Sequence, residues 1–284
     1  MQHLLPPLIS AEALLALPDL AQTVLLDARG GPDAAAAYAA SHLAGALRAD
    51  LETDLADTSG DPAQGGRHPL PAPAAFAQLL ERLGISPETH VVICDAQSGA
   101  NAAARAWWML RAFGHQHVQV LDGGIQAAAA AGFPLRSGAE PEPAPGRYPA
   151  RDWSLPLTGI REVEQMSQDP ACVVIDVRDA ARYEGRTEPI DPVAGHIPGA
   201  ANLPFSRNLS PDGRFLSPEA LRTLYGPLLG GRSPEQAAVH CGSGVTACHT
   251  LLALAHAGYE LPALFVGSWS EWCRSGRPIA VSPD

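Results

Sequence analysis

Residues 240–250, HCGSGVTACHT, set a cysteine against a run of small residues and in front of a helical pattern. A short apolar run, QAAVH at 236–240, precedes it, and helix formers continue from Leu251 through Ala257 to Gly258. Cys241 is therefore expected at the end of a strand, on the turn that opens a helix. There the unpaired N–H groups of the first helical turn and the positive end of the helix dipole surround its sulfur. Gly242 and Gly244 let the backbone curl closely around it, as in an anion-binding nest. The chemical consequence is a thiolate nucleophile at neutral pH. A lone cysteine is ordinarily a small buried hydrophobe; the Gly-Ser-Gly turn and the helix after it set this one apart.

The elements that must position this loop follow from periodicity. Short apolar runs ending in a polar residue, TVLLDAR from Thr23, HVVICDA from His90, HVQVLDG from His117, ACVVIDVR from Ala171, QAAVHCG from Gln236 and ALFVGS from Ala263, alternate with amphipathic segments. Ser10 and Thr158 read as helix caps, and Ser217-Pro218-Glu219 opens a helix with proline at its first position. Strands alternating with helices imply a parallel sheet covered on both faces. The second half repeats the first: VLLDAR matches VVIDVR, SHLAGA matches GHIPGA, AGFPL matches SGRPI, and Asp95 falls where Cys241 falls. The repeat is a duplicated domain, too long in period for a solenoid. The expected division is a domain at 1–138, a proline-rich extended linker at 139–156 and a second domain at 157–284.

Composition narrows the function. The 284 residues carry 19 Lys+Arg against 30 Asp+Glu, a formal net charge of -11, so nucleic acid and anionic membrane surfaces are not expected partners. No apolar run approaches a bilayer span, and the start MQHLLPPLIS lacks a charged n-region and is broken by Pro6 and Pro7. Five cysteines, an odd number without disulfide-framework spacing, suit a reducing compartment, and we expect a cytoplasmic protein. A zinc site built on Cys241, Cys248 and His249 would need four ligands to converge from one loop and its own helix; no metal and no organic cofactor is expected.

Taken together, the DxR-type strand ends, GHIPGA with the NLPF that follows it, the loop CGSGVTA, and the DGG and VGSWSEW segments resemble the two-domain rhodanese superfamily, and within it the 3-mercaptopyruvate sulfurtransferases. The resemblance spans nearly the whole chain. It implies an α/β protein of two tandem rhodanese-like domains, each a parallel sheet flanked by helices, with the active site in the interdomain cleft and the nucleophile in the second domain alone. Asp95 in the cysteine's place implies a catalytically silent first domain. The implied activity is transfer of a sulfane sulfur from a small-molecule donor through a Cys241 persulfide to a thiol acceptor such as thioredoxin, or to cyanide. A persulfide keeps its negative terminal sulfur inside the same ring of backbone donors that held the thiolate.

The resemblance also assigns roles. Ser243 works with a histidine and an acid from the first domain, here His68 and Glu52, with Asp50 and Asp54 as competing acids. Gly242, Gly244, Val245 and Thr246 line the donor cradle. Arg182 takes the donor's carboxylate, for which a guanidinium fork is suited. Many relatives place a second arginine after TEP, where this chain has Asp191; either Arg186 substitutes or one arginine suffices. Arg178 is expected in a structural ion pair. Asp27, Asp176, His42 and His196 recur in both halves, which points to structure, as does the placing of His240 in its strand. His115 and His117, beside a turn, are expected to be solvated.

Three rival readings are distinguishable. A cysteine phosphatase needs an arginine six residues after the nucleophile, where this chain has Ala247. A sulfur-relay module would pass its persulfide only to a protein. Thiosulfate, a dianion, would favour cations beside the thiolate, and GSGVTA has none, so charge balance favours mercaptopyruvate with thiosulfate as a slower donor.

Overall fold

The computed structural model describes residues 5–100 and 102–282. They fall into two compact units. The first comprises the chain up to Asp57, Pro71–Ser154 and Pro211–Phe215; the second comprises Thr58–Leu70, Leu155–Ser210 and the chain from Leu216.

In the first unit, strands β1 (Leu8–Ile9), β2 (Val24–Asp27), β4 (Ala46–Arg48), β5 (Val91–Cys94) and β6 (Val118–Leu121) form a sheet in the order β1-β6-β5-β2-β4, all parallel. The two-residue strands β3 (His42–Leu43) and β7 (Leu135–Arg136) pair antiparallel beside it. Helices α1 (Ala11–Leu15), α2 (Ala34–Ala40), α3 (Pro73–Arg82), α4 (Ala103–Ala112) and α5 (Gly124–Ala130) complete the unit. In the second unit β8 (Leu157–Thr158), β9 (Val173–Asp176), β10 (Ala201–Asn202), β11 (Ala237–His240) and β12 (Ala263–Phe265) order as β10-β9-β11-β12-β8, again all parallel. Its helices are α6 (Ile160–Gln168), α7 (Ala180–Tyr183), α8 (Pro218–Leu229), α9 (Thr246–His256) and α10 (Ser268–Trp272). Strand for strand the two orders are the same, as the sequence repeat requires.

Central strands read as unbroken apolar runs because helices cover both of their faces. Leu25 and Val92 pack with Leu14, Leu121 and Phe133 in one unit, and Val174 and Ala238 with Val163, Phe265, Trp269 and Trp272 in the other. Such burial contributes on the order of 2 kcal/mol per large side chain. Ser10 caps α1 by accepting from the Ala13 amide at 3.1 Å, and Ser217 caps α8. Thr158 does not cap α6: it is the last residue of β8, paired with Phe265, and Gly159 takes the cap position with Glu162 accepting from its amide.

The recurring polar residues pair in parallel fashion. Asp27 holds Arg29 at 2.6 Å and Asp176 holds Arg178 at 2.7 Å. His42 stacks on Tyr38 and His196 on Tyr183, ring centroids 4.1 and 3.7 Å apart. Residues 139–154, read as part of an extended linker, contain no helix or strand but pack on the first unit, where Tyr148 is buried and the Trp153 ring lies 5.3 Å from those of Phe76 and Phe113. Aromatic anchors outweigh the solvating prolines between them.

His115 is not solvated. It is 1% exposed, its Nδ1 3.2 Å from the Tyr148 hydroxyl and its Nε2 2.9 Å from the Thr89 carbonyl oxygen. Burial lowers its pKa from the ordinary 6.5 to about 4. The folded unit thus holds a neutral imidazole that the unfolded chain would protonate below about 6.5, so stability is full above that pH and is lost as pH falls toward 4. Unfolding midpoints measured between pH 7 and 4 should fall less steeply in His115→Gln than in the parent; identical slopes would refute this. Among the described residues no helix is long and apolar enough to cross a membrane.

Candidate active site

Cys241 follows the last residue of β11 and is 1% exposed, with α9 starting at Thr246. The segment after β12 clamps the loop. The Cys241 amide donates to Ser268 Oγ at 3.1 Å, the Cys241 carbonyl oxygen accepts from the Trp269 amide at 3.0 Å, and the Gly242 carbonyl oxygen accepts from the Ser270 amide at 2.9 Å. Ser268 has φ 53, a left-handed conformation rare outside glycine, which the loop contacts and its own bond to the Phe265 carbonyl oxygen hold in place. Gly244 donates its amide to Cys241 Sγ at 3.2 Å. It must be glycine, because its φ is +76 and a Cβ would stand 2.6 Å from the Val266 carbonyl oxygen.

Ser243 and His68 meet: Oγ and Nδ1 are 2.7 Å apart, both side chains buried. His68 belongs to this unit because segment Thr58–Leu70 packs here. Gly66 presses on Gly267, whose carbonyl oxygen would be 2.4 Å from a Cβ, and the Arg67 amide donates to Ser270 Oγ at 3.0 Å. One helix start, α10, thus positions both the nucleophile loop and the histidine segment.

Glu52 lies in the first unit, exposed in the turn after β4, its amide donating to Asp50 Oδ1 at 2.8 Å. Asp50 caps that turn and pairs with Arg48, while Asp54 pairs with Arg82 at 2.6 Å. Cys248 and His249 are turned to other partners: Cys248 Sγ to the Gly244 carbonyl oxygen at 3.3 Å, His249 Nδ1 to Asn208 Nδ2 at 3.2 Å. His240 is packed in its strand, and burial holds its imidazole below the ordinary value despite Asp176 at 3.7 Å.

Two guanidiniums, those of Arg182 and Arg67, stand beside Gly242. A Cβ on Gly242 would stand 3.2 Å from Arg67 Nη2 and 3.5 and 3.6 Å from Arg182 Nη2 and Nη1. Arg182 pairs with Glu188 at 2.6 and 3.0 Å. Arg186 pairs with Glu184 and its side chain is 59% exposed. Arg178 is held by Asp176, Glu188 and the Gly195 carbonyl oxygen, and lies over the Trp269 ring. GSGVTA itself carries no cation, as read, and the charges beside it come from elsewhere in the chain: Arg182, expected there, and Arg67, which was not. Arg67, Ser268 and Ser270 were not singled out from the sequence; the one available signal was Arg67 standing next to His68.

The first unit carries the same cradle around a different group. The Asp95 carboxylate accepts from the amides of Gln97 at 2.8 Å, Gly99 at 2.9 Å, Ala103 at 3.1 Å and Ala102 at 3.3 Å. This loop is an anion nest filled by its own side chain. Asp95→Ala strands buried amides and should destabilise the first unit by about 3 kcal/mol in urea unfolding; an unchanged midpoint would remove the nest as a stabilising feature.

Comparison with known proteins agrees with this geometry. The family model described as rhodanese-like domain matches twice, at residues 10–131 and 160–275. A Pseudomonas aeruginosa protein named "Probable 3-mercaptopyruvate sulfurtransferase" is 44% identical over 278 residues, 95% of each chain. A Gallus gallus thiosulfate sulfurtransferase is 39% identical over 214 residues, covering 74% of this chain and 72% of that one. The solved structure of the 3-mercaptopyruvate sulfurtransferase from Leishmania major superposes with a TM-score of 0.82 at 32% identity, covering 98% of this chain and 76% of that one.

Proposed function

The chain belongs to the rhodanese family and is a sulfurtransferase, and from that premise we propose that it moves the sulfur of 3-mercaptopyruvate, through a persulfide on Cys241, to a thiol such as thioredoxin or to cyanide. The Cys241 thiolate attacks the donor's thiol sulfur. An S–S bond forms and the donor's C–S bond breaks, its electron pair passing to the carbon as the enolate of pyruvate. The donor thiol's proton reaches that carbon, giving pyruvate and a persulfide anion. The acceptor then takes the outer sulfur and restores the thiolate.

The observation that carries this choice of donor is the hydrogen bond between Ser243 and His68 two residues from the nucleophile. Mercaptopyruvate needs its proton moved from sulfur to carbon, which a hydroxyl–imidazole pair does. Thiosulfate releases sulfite and needs no proton. The Gly244 amide on Sγ supports the persulfide step, since it can follow the charge as it develops. Val245 and Thr246 close the cradle at the start of α9.

A second reading has its own support. Arg67 and Arg182 beside Gly242 would suit a dianionic donor, so thiosulfate is the alternative. Steady-state transfer to cyanide, with both donors in parallel, tests the choice. A higher kcat/KM for mercaptopyruvate is expected; a higher value for thiosulfate would reverse the assignment, and no turnover with either would leave a protein-to-protein sulfur relay.

A further inference from the structure

We propose that His240 is a positioning residue for the reaction: its Nδ1–H holds the carbonyl oxygen of Cys241 and so fixes the peptide that carries the nucleophile. The inference rests on Cys241 as the nucleophile, the reading above, and not on the choice of donor.

The first observation is where the imidazole places its proton. His240 is fully buried, and its Nδ1 lies 3.2 Å from the Cys241 carbonyl oxygen, an atom that can only accept, so the proton is on Nδ1. Asp176, Arg178 and His196 are the titratable groups around the ring; Asp176 and Arg178 pair with each other at 2.7 Å, and burial leaves the imidazole neutral at pH 7, with one proton to place. Its Nε2 then carries a lone pair, 3.7 Å from Asp176 Oδ2 and without a hydrogen-bond partner among the described residues. An orphaned buried nitrogen costs stability, and the proton that would have served it goes to the loop instead.

The repeat supplies the second. His240 and Cys94 close equivalent strands, β11 and β5, and each pairs with the aspartate that ends the neighbouring strand, Asp176 or Asp27. The Asp–Arg pairs and the Tyr–His stacks occur in both units, whereas this histidine occurs only beside the nucleophile. Cys94 is 2% exposed, so the matching strand packs without an imidazole.

The third is the loop itself. The Cys241 carbonyl oxygen accepts from His240 and from the Trp269 amide, and the Cys241 amide donates to Ser268 Oγ. Because a peptide is planar, a carbonyl held by two donors fixes the whole Cys241–Gly242 unit. A nucleophile on a fixed backbone meets donor and acceptor from one position, and orientation of that kind contributes to rate.

Leucine and asparagine share a branched shape, and asparagine alone places an N–H where Nδ1 stands, so His240→Leu and His240→Asn separate the hydrogen bond from the volume. With cyanide as acceptor and whichever donor the parent uses faster, His240→Leu should lower kcat about 10-fold with KM changed less than about threefold, the size of one lost hydrogen bond felt in the transition state. His240→Asn should recover most of that loss, although asparagine is the poorer core residue and its unfolding midpoint in urea should be the lower of the two. Activities that follow the unfolding midpoints, or an unchanged kcat in His240→Leu, would overturn the proposal and leave His240 as packing. Nitrogen NMR of the histidine-labelled parent at pH 7, with the His240 signal assigned by its absence from His240→Asn, should show Nδ1 protonated and Nε2 bare; a proton on Nε2 would overturn it equally, and this reading stands even where His240→Leu fails to fold. Loss of turnover in Cys241→Ser tests the nucleophile separately.

Discussion

Cys241→Ser should lower sulfur transfer to either donor by more than about 10⁴-fold, because the step removed is the covalent one. A serine hydroxyl is not ionised at neutral pH, and an oxygen cannot carry the sulfane sulfur in a form that an acceptor attacks. The fold should survive the change. Serine matches cysteine in shape, and its Oγ can accept the Gly244 amide that now donates to Sγ at 3.2 Å. The bonds that clamp the loop run through the Cys241 amide and carbonyl oxygen, which the substitution leaves alone. Mass spectrometry of the parent after exposure to donor without acceptor should show one added sulfur, located on the peptide that contains Cys241. Retained turnover in the serine variant, or added sulfur on another cysteine, would sink the persulfide mechanism.

The second large effect concerns the proton. His68→Ala and Ser243→Ala should each reduce kcat/KM for mercaptopyruvate by about 10²- to 10³-fold, the range of a lost general acid–base group. Because the two side chains form one hydrogen-bonded unit at 2.7 Å, the double variant should be little worse than the poorer single one. Turnover of thiosulfate, which transfers no proton to carbon, should fall much less in the same variants. A residue that merely shaped the loop would depress both donors alike. Equal losses for both donors, or additive losses in the double variant, would therefore refute the relay.

The two units show how one local design serves opposite ends. In the first, an anion is built into the chain as Asp95 and takes the backbone amides of Gln97, Gly99, Ala102 and Ala103. In the second, a sulfur occupies the matching position and accepts from the Gly244 amide, while a side chain from a distant segment bonds Ser243 two residues on. An aspartate fills its nest permanently, whereas a thiolate can extend by one sulfur atom and contract again.

The placing of Cys241 at the end of a strand and the mouth of a helix, the parallel sheet repeated in both halves, the structural part played by Asp27 and Asp176, and an ion pair for Arg178 were determined by the sequence alone. Each depends on neighbours within a few residues, or on a repeat that copies whole elements, and spacing reports both. Tertiary structure decided the rest. Burial of His115, packing of Trp153 on Phe76 and Phe113, and transfer of Thr58–Leu70 to the second unit depend on surfaces that meet only after folding. The site's partnerships are of that kind: His68 reaches Ser243 across 175 residues of sequence and Arg67 reaches Asp191 across 124. Periodicity and capping describe local backbone geometry, and a charge or proton carrier delivered from such a distance leaves no trace in either.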